Sequence, residues 1–303
     1  MATALYTHLS WRWYRRSAIP HKLSSPLIVT LTSYPARYPT LALTLASLLA
    51  QSMLPDHIYL WIAEEDLPSL PENVRRLQGN GVEVRRCHNL RSYKKIIPAI
   101  EHAPGAFLVT ADDDVYYPRH WLRELVNAYR PGQKEVLCAR GHRIRLDDRG
   151  LPLPYHQWQL DVDSTGSERL LFPTTGGGAL YEPGIFHQDV HRADIFLTLC
   201  PTADDVWLYW MAALNGARFR KVGRRRRLIH WLNSQRLTLY SVNRVENDRQ
   251  IANMILQYGF PMHPTPSSGR RSMLELTGTA TCAKDDPAGP VVNVNELNSD
   301  LSL

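Results

Sequence analysis

Short apolar runs alternate with helical patterns along the first half of this chain. The apolar runs predict buried strands at 26–32, 57–63, 82–87 and 106–111. The helical patterns cover 41–49, 72–78, 93–102 and 120–129. Strands that alternate with helices are typical of a mainly parallel sheet covered by helices on both faces. The sequence therefore predicts an α/β fold for this half.

Three consecutive carboxylates, Asp112, Asp113 and Asp114, follow the strand predicted at 106–111. The carboxyl ends of strands in an open α/β sheet face the ligand crevice. Adjacent like charges are costly to hold together without a cation. In an extended segment Asp112 and Asp114 would point the same way and could share Mg²⁺ or Mn²⁺, which would bind phosphate oxygens. The alternative is a solvated acidic turn.

Composition is that of an ordinary globular protein with a basic balance. The 303 residues are 44% apolar and 21% charged, and the net charge of +6 favours anionic partners such as nucleotides, nucleic acid or an acidic membrane surface. The four cysteines are widely spaced, as is typical of reduced thiols in a cytosolic protein. No apolar run approaches the ~18 residues of a membrane span, and no secretory signal is expected. No glycine-rich phosphate loop follows the first strand, which gives the acidic triplet more weight.

The composition changes along the chain and predicts three parts. Residues 1–24 mix Trp11 and Trp13 with arginines, which suits a membrane interface or a helix packed on the domain. Residues 25–262 form the main domain, and 263–303 form a loose tail rich in Pro, Ser, Gly and Asn.

The second half carries polar motifs in a less regular context. A triple glycine at 176–178 either lets the backbone approach a ligand or acts as a hinge. Asp204 and Asp205 precede a helical pattern at 206–214, where acids also favour a helix start. The basic run at 224–227 faces either an anionic lipid or solvent at a strand edge.

Residues 26–255 resemble the nucleotide-sugar glycosyltransferases of GT-A type, especially those of glycosyltransferase family 2. The first strand runs into Thr32-Ser33-Tyr34-Pro35-Ala36-Arg37, and the acidic triplet stands where the family carries its D-x-D motif. The triple glycine is similar to its acceptor loop, and Asp204-Asp205 to its E-D motif. Two departures are Glu64-Glu65-Asp66 after the second strand and Asp204 in place of Glu. The Q-x-x-R-W signature of processive synthases is missing, which favours a single transfer.

The resemblance implies a GT-A, Rossmann-like fold with an acceptor-side subregion. It also implies metal-dependent, inverting transfer of a sugar, most simply from a UDP-linked donor, to a hydroxyl of a glycan or lipid-linked acceptor in bacterial surface polysaccharide assembly. Asp205 would be the base and Asp204 would tune its pKa. Asp112 and Asp114 would hold Mn²⁺ or Mg²⁺. The nucleotide would contact Thr32, Tyr34, Arg37, Glu64, Lys94, Lys95, Asp112 and Asp113.

Several roles rest on position as well as resemblance, and alternatives stay open for them. His230 is a third metal ligand, a diphosphate contact, or a histidine packed beside Trp231. Lys94 and Lys95 would open a helix and meet the diphosphate, with one of them solvated. Tyr34 could stack on the base, or belong to an ordinary surface loop.

Two other classes of function remain open at this stage. One is a basic nucleic-acid-binding protein or a metal-dependent nuclease built on the triplet, although no nucleic-acid module is present. The other is an inactive binding module with the same fold. The expected location is the cytoplasm, either free or attached peripherally at the inner face of the cell membrane, and no nucleic-acid partner is expected.

Overall fold

The computed structural model describes residues 10–225, 227–232 and 240–261, with the backbone alone for 240–245. These residues belong to one unit, Met1–Pro264. The predicted tail at 263–303 and Cys282 lie outside the described residues.

Helices and short strands alternate along the described chain. The strands are β1 Ile19–Pro20, β2 Leu27–Thr32, β3 Met53–Leu54, β4 His57–Ala63, β5 Val82–Cys87, β6 Phe107–Thr110, β7 Val115–Tyr116, β8 Glu135–Cys138, β9 Gly141–Arg143, β10 Leu171–Pro173, β11 Ala179–Tyr181, β12 Arg218–Lys221 and β13 Ile229–His230. The helices are α1 at 10–16, α2 Tyr38–Leu49, α3 Glu72–Arg75, α4 Ile97–His102, α5 Trp121–Ala128, α6 Ala193–Leu199, α7 Asp204–Leu214 and α8 Tyr240–Tyr258.

Seven strands form the central sheet in the order β12-β8-β11-β6-β2-β4-β5. Strands β6, β2, β4 and β5 are parallel to one another, and β12 is parallel to β8. Strand β11 is antiparallel to both β6 and β8 and joins the two parallel groups. The mainly parallel sheet that the sequence predicts is confirmed, and β11 is an addition that its pattern did not indicate.

Alternation along the strands separates two hydrophobic cores, one on each face of the sheet. In β2, Ile28 belongs to one core, whereas Leu27, Val29 and Leu31 belong to the other. Successive side chains of a strand point to opposite faces, so a strand buried on both sides is apolar throughout. Helices α4, α6, α7 and α8 cover the Ile28 face, and helices α2, α3 and α5 cover the opposite face.

The predicted strands match the observed ones to within a residue at each end, but three helices differ. The helix predicted at 41–49 begins earlier, at Tyr38, as α2. The helix predicted at 72–78 ends at Arg75 as α3. The helix predicted at 93–102 is divided into a 3₁₀ turn, Arg91–Lys95, and the helix α4. Pro98 lies in the first turn of α4, where its missing N–H costs nothing, so the helix begins just before the proline.

The basic and aromatic N-terminal segment packs on the domain through one of its tryptophans. Trp11 is 6% exposed and belongs to the core between the sheet and helices α2, α3 and α5. Trp13 is 67% exposed. Arg119 stacks on Tyr14 with its guanidinium 4.2 Å from the ring centroid. The expectation that Trp11 faces lipid is therefore wrong for this conformation, because its ring is already buried. No helix in the described part of the chain is long and apolar enough to cross a membrane.

Candidate functional site

A cavity of about 1100 Å³ opens where β2 and β6 end at their carboxyl termini. Much of its wall comes from five segments, within 32–37, 89–95, 112–114, 174–177 and 202–206, and other lining residues lie within 140–161 and 225–230. Thr32 and Tyr34 line it, and Tyr34 is 40% exposed with an extended backbone. The cavity lies where ligands bind in open α/β folds.

Each carboxylate of the acidic triplet has a different partner. Lys95 Nζ donates to Asp112 Oδ1 at 2.6 Å. Ser33 Oγ donates to Asp113 Oδ2 at 2.6 Å, and Arg37 donates to Asp114 Oδ2 at 2.7 Å. The chain turns at 113–114 instead of continuing as a strand. The triplet is therefore not the extended segment that the sequence predicted, and each carboxylate is oriented by its own partner.

The triplet concentrates negative charge in a buried place. Burial, together with the charges of Asp114 and Asp112, raises the pKa of Asp113 to about 7. Burial acts in the same direction on Asp114, but a hydrogen bond from His230 and the charge of Arg37 outweigh it and lower the pKa of Asp114. Asp114 is thus held ionised by its surroundings. A further positive charge nearby would favour the ionised form of Asp113.

His230 lies beside the triplet, as expected. Strand β13 pairs with β7 and sets His230 opposite Val115, one residue after Asp114. His230 Nδ1 is 3.6 Å from Asp114 Oδ2. The pairing of two short strands therefore brings together residues that are far apart in the sequence.

The donor set suits a hard divalent ion that completes its coordination from outside the protein. Among the residues described, no group of three or more His, Cys, Asp or Glu side chains is arranged to hold a metal ion by itself. Mg²⁺ and Mn²⁺ commonly bind one or two carboxylates and take the other ligands from water and substrate phosphates. Asp112, which retains 36% side-chain exposure, and Asp114 fit that pattern.

Lys95 connects the acidic triplet with the second acidic motif. Its Nζ lies 2.6 Å from Asp112 Oδ1, 3.3 Å from Asp204 Oδ2 and 2.9 Å from Thr175 Oγ1. Burial opposes its charge, but Asp112 and Asp204 outweigh burial and raise the pKa of Lys95 well above its usual value. Lys95 therefore stays protonated between the two motifs.

The expectations for Lys94 and Lys95 need two corrections. Both line the cavity and both are buried, at 4% and 7% exposure, so neither is a solvated surface lysine. They end a 3₁₀ turn and α4 begins only at Ile97, so they do not open a helix. Both lysines reach the cavity from this 3₁₀ turn. The turn is attached to β2 by the hydrogen bond that Thr30 Oγ1 donates to the Lys95 carbonyl at 2.6 Å.

Asp204 and Asp205 stand in the first turn of α7. The Thr175 N–H donates to Asp205 Oδ1 at 2.9 Å. Burial and the adjacent charge of Asp204 raise the pKa of Asp205 to about 6. Acids are favoured at a helix start, and this pair satisfies that preference while facing the cavity. Asp205 is therefore ionised at neutral pH and binds a proton readily.

All three glycines are constrained by close contacts, and Gly178, with φ 101°, faces the ring of Trp121. A Cβ on Gly176 would lie 2.2 Å from Asp112 Oδ2, and one on Gly177 would lie 2.4 Å from the Cβ of Arg140. The 3₁₀ turn Thr175–Gly177 thus packs directly against Asp112. These contacts argue against a free hinge, and the expected approach of this backbone to a ligand stays a prediction.

Glu64 does not join the site. Strand β4 ends at Ala63, and a 3₁₀ turn, Glu64–Ser69, follows it. Glu64 is exposed and absent from the cavity wall, whereas Asp66 lines the cavity. The expectation that Glu64 contacts the nucleotide is wrong in this geometry, because the turn directs the first acid outward and a later one inward.

Sequence reasoning missed a second polar cluster that lines the cavity. Asp161 has a left-handed backbone, φ 49°, and its N–H donates to His142 Nδ1 at 2.9 Å. Its Oδ1 is buried without a hydrogen bond, 4.0 Å from Arg140 Nε, and its Oδ2 lies 3.4 Å from Arg225 Nε. Strained backbone and an unsatisfied carboxylate oxygen are typical of functional positions. Only the basic run at 224–227 pointed here, and Arg226 lies outside the described residues.

The fold and this cavity define an α/β protein with an acidic, lysine-bridged site at the carboxyl edge of its sheet. The chain belongs to glycosyl transferase family 2, whose family model matches residues 28–190. It is thus a member of a family of glycosyltransferases that take a sugar from a nucleotide-sugar donor and transfer it to an acceptor. The match ends before Asp204, so the second acidic motif lies outside it.

Solved structures with related architecture have low identity to this chain. One is the 4-diphosphocytidyl-2C-methyl-D-erythritol synthase from Anaerococcus prevotii DSM 20548, with 12% identity, a TM-score of 0.42, and coverage of 81% of this chain and 99% of that one. Another is a putative glucose-1-phosphate thymidylyltransferase from Bacillus anthracis, with 12% identity, a TM-score of 0.39, and coverage of 74% and 96%. A search of curated protein sequences gave no match.

Proposed function

We propose that this protein is a metal-dependent, inverting glycosyltransferase that moves a sugar from a nucleotide-linked donor to a hydroxyl of a glycan or lipid-linked acceptor. The observation that carries the proposal is the bridge made by Lys95 between Asp112 and Asp204. It joins the two acidic motifs across one cavity, so that a leaving group at one and an acceptor at the other would meet between them.

The donor side is the wall formed by Arg37, Lys94, Lys95 and the triplet. A nucleoside diphosphate is anionic, and Arg37 and Lys95 supply buried positive charge beside Asp114 and Asp112. Tyr34 presents a partly exposed ring at the same edge, suited to a base. We assign UDP as the nucleotide on the resemblance of these motifs to the family.

A divalent ion held by Asp112 and Asp114, with His230 beside them, would neutralise charge on the departing diphosphate. Both carboxylates are held by other side chains of this protein. Arg37 fixes Asp114 at 2.7 Å and Lys95 fixes Asp112 at 2.6 Å. Both carboxylates are therefore oriented before any donor binds.

The acceptor side provides a base. Asp205 takes the proton of the acceptor hydroxyl, whose oxygen forms the new bond to the anomeric carbon. The bond from that carbon to the diphosphate breaks, and the electron pair leaves with the nucleoside diphosphate. Asp205 is suited to this role because its pKa of about 6 is close to neutral pH. The opposite faces of attack and departure give inversion.

We place the reaction in bacterial surface polysaccharide assembly, at the cytoplasmic face of the membrane. Trp13 and the basic residues around it are the part of the N-terminal segment that would meet anionic lipid, since Trp11 is buried. Co-sedimentation of the protein and of its Trp13→Ala variant with anionic vesicles tests this. Equal pelleting of both would remove Trp13 from the membrane contact.

A thermal-shift screen of nucleotide sugars with and without Mn²⁺ tests the function, because a true donor stabilises the folded state. We expect UDP-sugars to raise the melting temperature more when Mn²⁺ is present. Asp114→Ala should abolish the Mn²⁺-dependent part, and the exposed Asp148→Ala should not. Salt-sensitive binding of DNA or RNA with no response to any nucleotide sugar would instead favour the nuclease alternative.

A further inference from the structure

Helix α8 lies beyond the part of the chain that the family model matches, yet it contacts the loop that precedes the second acidic motif. Gln250 of this helix is fully buried. Its Oε1 accepts the N–H groups of Thr202 at 3.1 Å and Ala203 at 3.0 Å. Its Nε2 donates to Thr202 Oγ1 at 2.8 Å and to the Glu246 carbonyl at 3.1 Å. These four bonds use the amide's two donors and two acceptor sites.

The two N–H groups held by Gln250 come directly before Asp204 and Asp205. The Ala203 carbonyl accepts the first N–H bonds of α7, from Val206 at 3.1 Å and Trp207 at 3.4 Å. Ala203 cannot cap the helix with its own side chain. Gln250 therefore supplies from another helix the contact that fixes where α7 begins.

The start of α7 matters because the acids depend on short contacts across the cavity. Asp205 meets Thr175 at 2.9 Å and Asp204 meets Lys95 at 3.3 Å. A shift of the loop by about 1 Å would misplace both carboxylates, and misplacement on that scale costs roughly 100-fold in rate. An asparagine in place of Gln250 would be one methylene too short to reach the loop.

We propose that Gln250 is a positioning residue that holds the second acidic motif in register with Lys95 and Thr175. The proposal rests on the proposed function for its effect on catalysis, but the clamp itself is a property of the fold. Gln250 touches neither donor nor acceptor, so it acts on turnover through Asp204 and Asp205. We expect donor affinity to change less than turnover, because Lys95 keeps its contacts with Asp112 and Thr175 when Asp204 shifts.

The same helix offers a matched control. Asn253 Nδ2 donates to the Leu199 carbonyl at 3.0 Å, at the end of α6. It is an amide-to-backbone contact from α8, like that of Gln250, but it holds a segment outside the acid motif. Asn253→Ala therefore reports what a lost α8 contact does to stability alone.

The test compares Gln250→Met, Gln250→Glu and Asn253→Ala in steady-state transfer and in UDP affinity. Methionine keeps the volume and removes all four bonds, so kcat should fall at least 10-fold with the donor Kd within about twofold. Glutamate keeps both acceptor contacts to the loop and should restore kcat to within about threefold of the wild type. Asn253→Ala should keep wild-type kcat. Wild-type kcat in Gln250→Met, or equal losses in Gln250→Met and Asn253→Ala, would overturn the proposal.

Amide hydrogen exchange keeps the test decisive if a variant folds poorly or if no donor is found. In the wild type the N–H groups of Thr202 and Ala203 should exchange slowly, because both are bonded to a buried oxygen. Fast exchange there in the folded wild type would refute the clamp without any activity assay. If the wild type transfers no sugar, the proposed function fails, and the clamp is judged by whether protection is lost in Gln250→Met and kept in Asn253→Ala.

Discussion

Replacing Asp205 by asparagine should separate the contribution of this carboxylate to turnover from its effect on the free energy of unfolding. The asparagine would keep the shape of the side chain, and its amide oxygen can still accept the Thr175 N–H, which lies 2.9 Å from Oδ1. The substitution removes one negative charge from a buried place beside Asp204. We expect turnover to fall and the free energy of unfolding at neutral pH to rise.

The size of both effects follows from the environment of Asp205. Loss of a general base typically lowers kcat by roughly 10²–10⁴-fold. The pKa of about 6 in the fold, against 3.8 for a free carboxyl, is a shift of about 2 units. At about 1.36 kcal/mol per unit, ionised Asp205 costs at most roughly 3 kcal/mol of stability. The side chain borders an open cavity, and water there screens part of the charge, so the gain should be smaller than this limit.

The pH dependence of stability shows whether the charge of Asp205 lowers or raises the free energy of unfolding. Above about pH 6 Asp205 is ionised in the folded and unfolded chain, and the folded chain bears the full cost. As the pH falls from about 6 toward 4, the folded chain binds the proton first and the cost disappears. The stability advantage of Asp205→Asn should therefore be largest at pH 7 and above and vanish near pH 4. Wild-type kcat should rise with pH through about 6, because the base must be ionised.

Asp204→Asn is the matched comparison. Asp204 lies 3.3 Å from Lys95 Nζ and is a counter-ion of that buried cation. Removing its charge leaves Lys95 with less compensation, so this variant should lose stability while Asp205→Asn gains it. The assays are thermal unfolding from pH 4 to 8, steady-state transfer, and UDP affinity, which should stay at the wild-type value for Asp205→Asn.

Three results would refute this reasoning. If Asp205→Asn is less stable than the wild type at pH 7.5, the carboxylate is not strained by burial. If it transfers sugar at the wild-type rate while Asp204→Asn is inactive, the roles of the two acids are exchanged. If both variants remain active, the base lies elsewhere and the pair serves only the start of α7.

Three further predictions concern the walls of the cavity. Gly176→Ala places a Cβ 2.2 Å from Asp112 Oδ2, so we expect loss of Mn²⁺-dependent UDP binding by calorimetry, whereas Gly166→Ala, where a Cβ meets nothing within 4 Å, should bind normally. Asp161→Asn keeps a residue that tolerates φ 49° but removes a charge that lines the cavity, so the KM for one substrate should rise several-fold. Unchanged KM values for both substrates would make Asp161 structural. Lys95→Met leaves Asp112 and Asp204 without their shared cation and should destabilise the protein by roughly 3–5 kcal/mol in denaturant unfolding, which a wild-type midpoint would contradict.

The sheet could be predicted from the sequence because burial on both faces makes each parallel strand a nearly continuous apolar run. His57–Ala63 and Val82–Cys87 occur where the pattern placed them. The strands of the second half are only two to four residues long and leave no such pattern. Strand β11 could not be foreseen, because its antiparallel position between β6 and β8 depends on the path of the chain between distant segments.

The acidic half of the site was visible in the sequence, and the contacts that orient it were not. Three adjacent acids and a later pair stand out because like charges rarely cluster without a reason. Gln250 is 48 residues from Thr202, and nothing local marks it. Asp161 depends on a backbone angle, and Asp66 enters the cavity in place of Glu64 because of the direction of one turn.

The charges in this cavity have to be considered as one unit. Asp112 and Asp204 belong to motifs 92 positions apart in the sequence (204 − 112), yet both contact the same ammonium group. A buried cation that two acids share makes the ionisation of each acid depend on the other, so single substitutions here will not add. Thr175 strengthens the link, since its N–H holds Asp205 and its hydroxyl meets Lys95. The geometry that would bring donor and acceptor together is therefore held by a lysine and a threonine backbone, and the acids that stand out in the sequence depend on both.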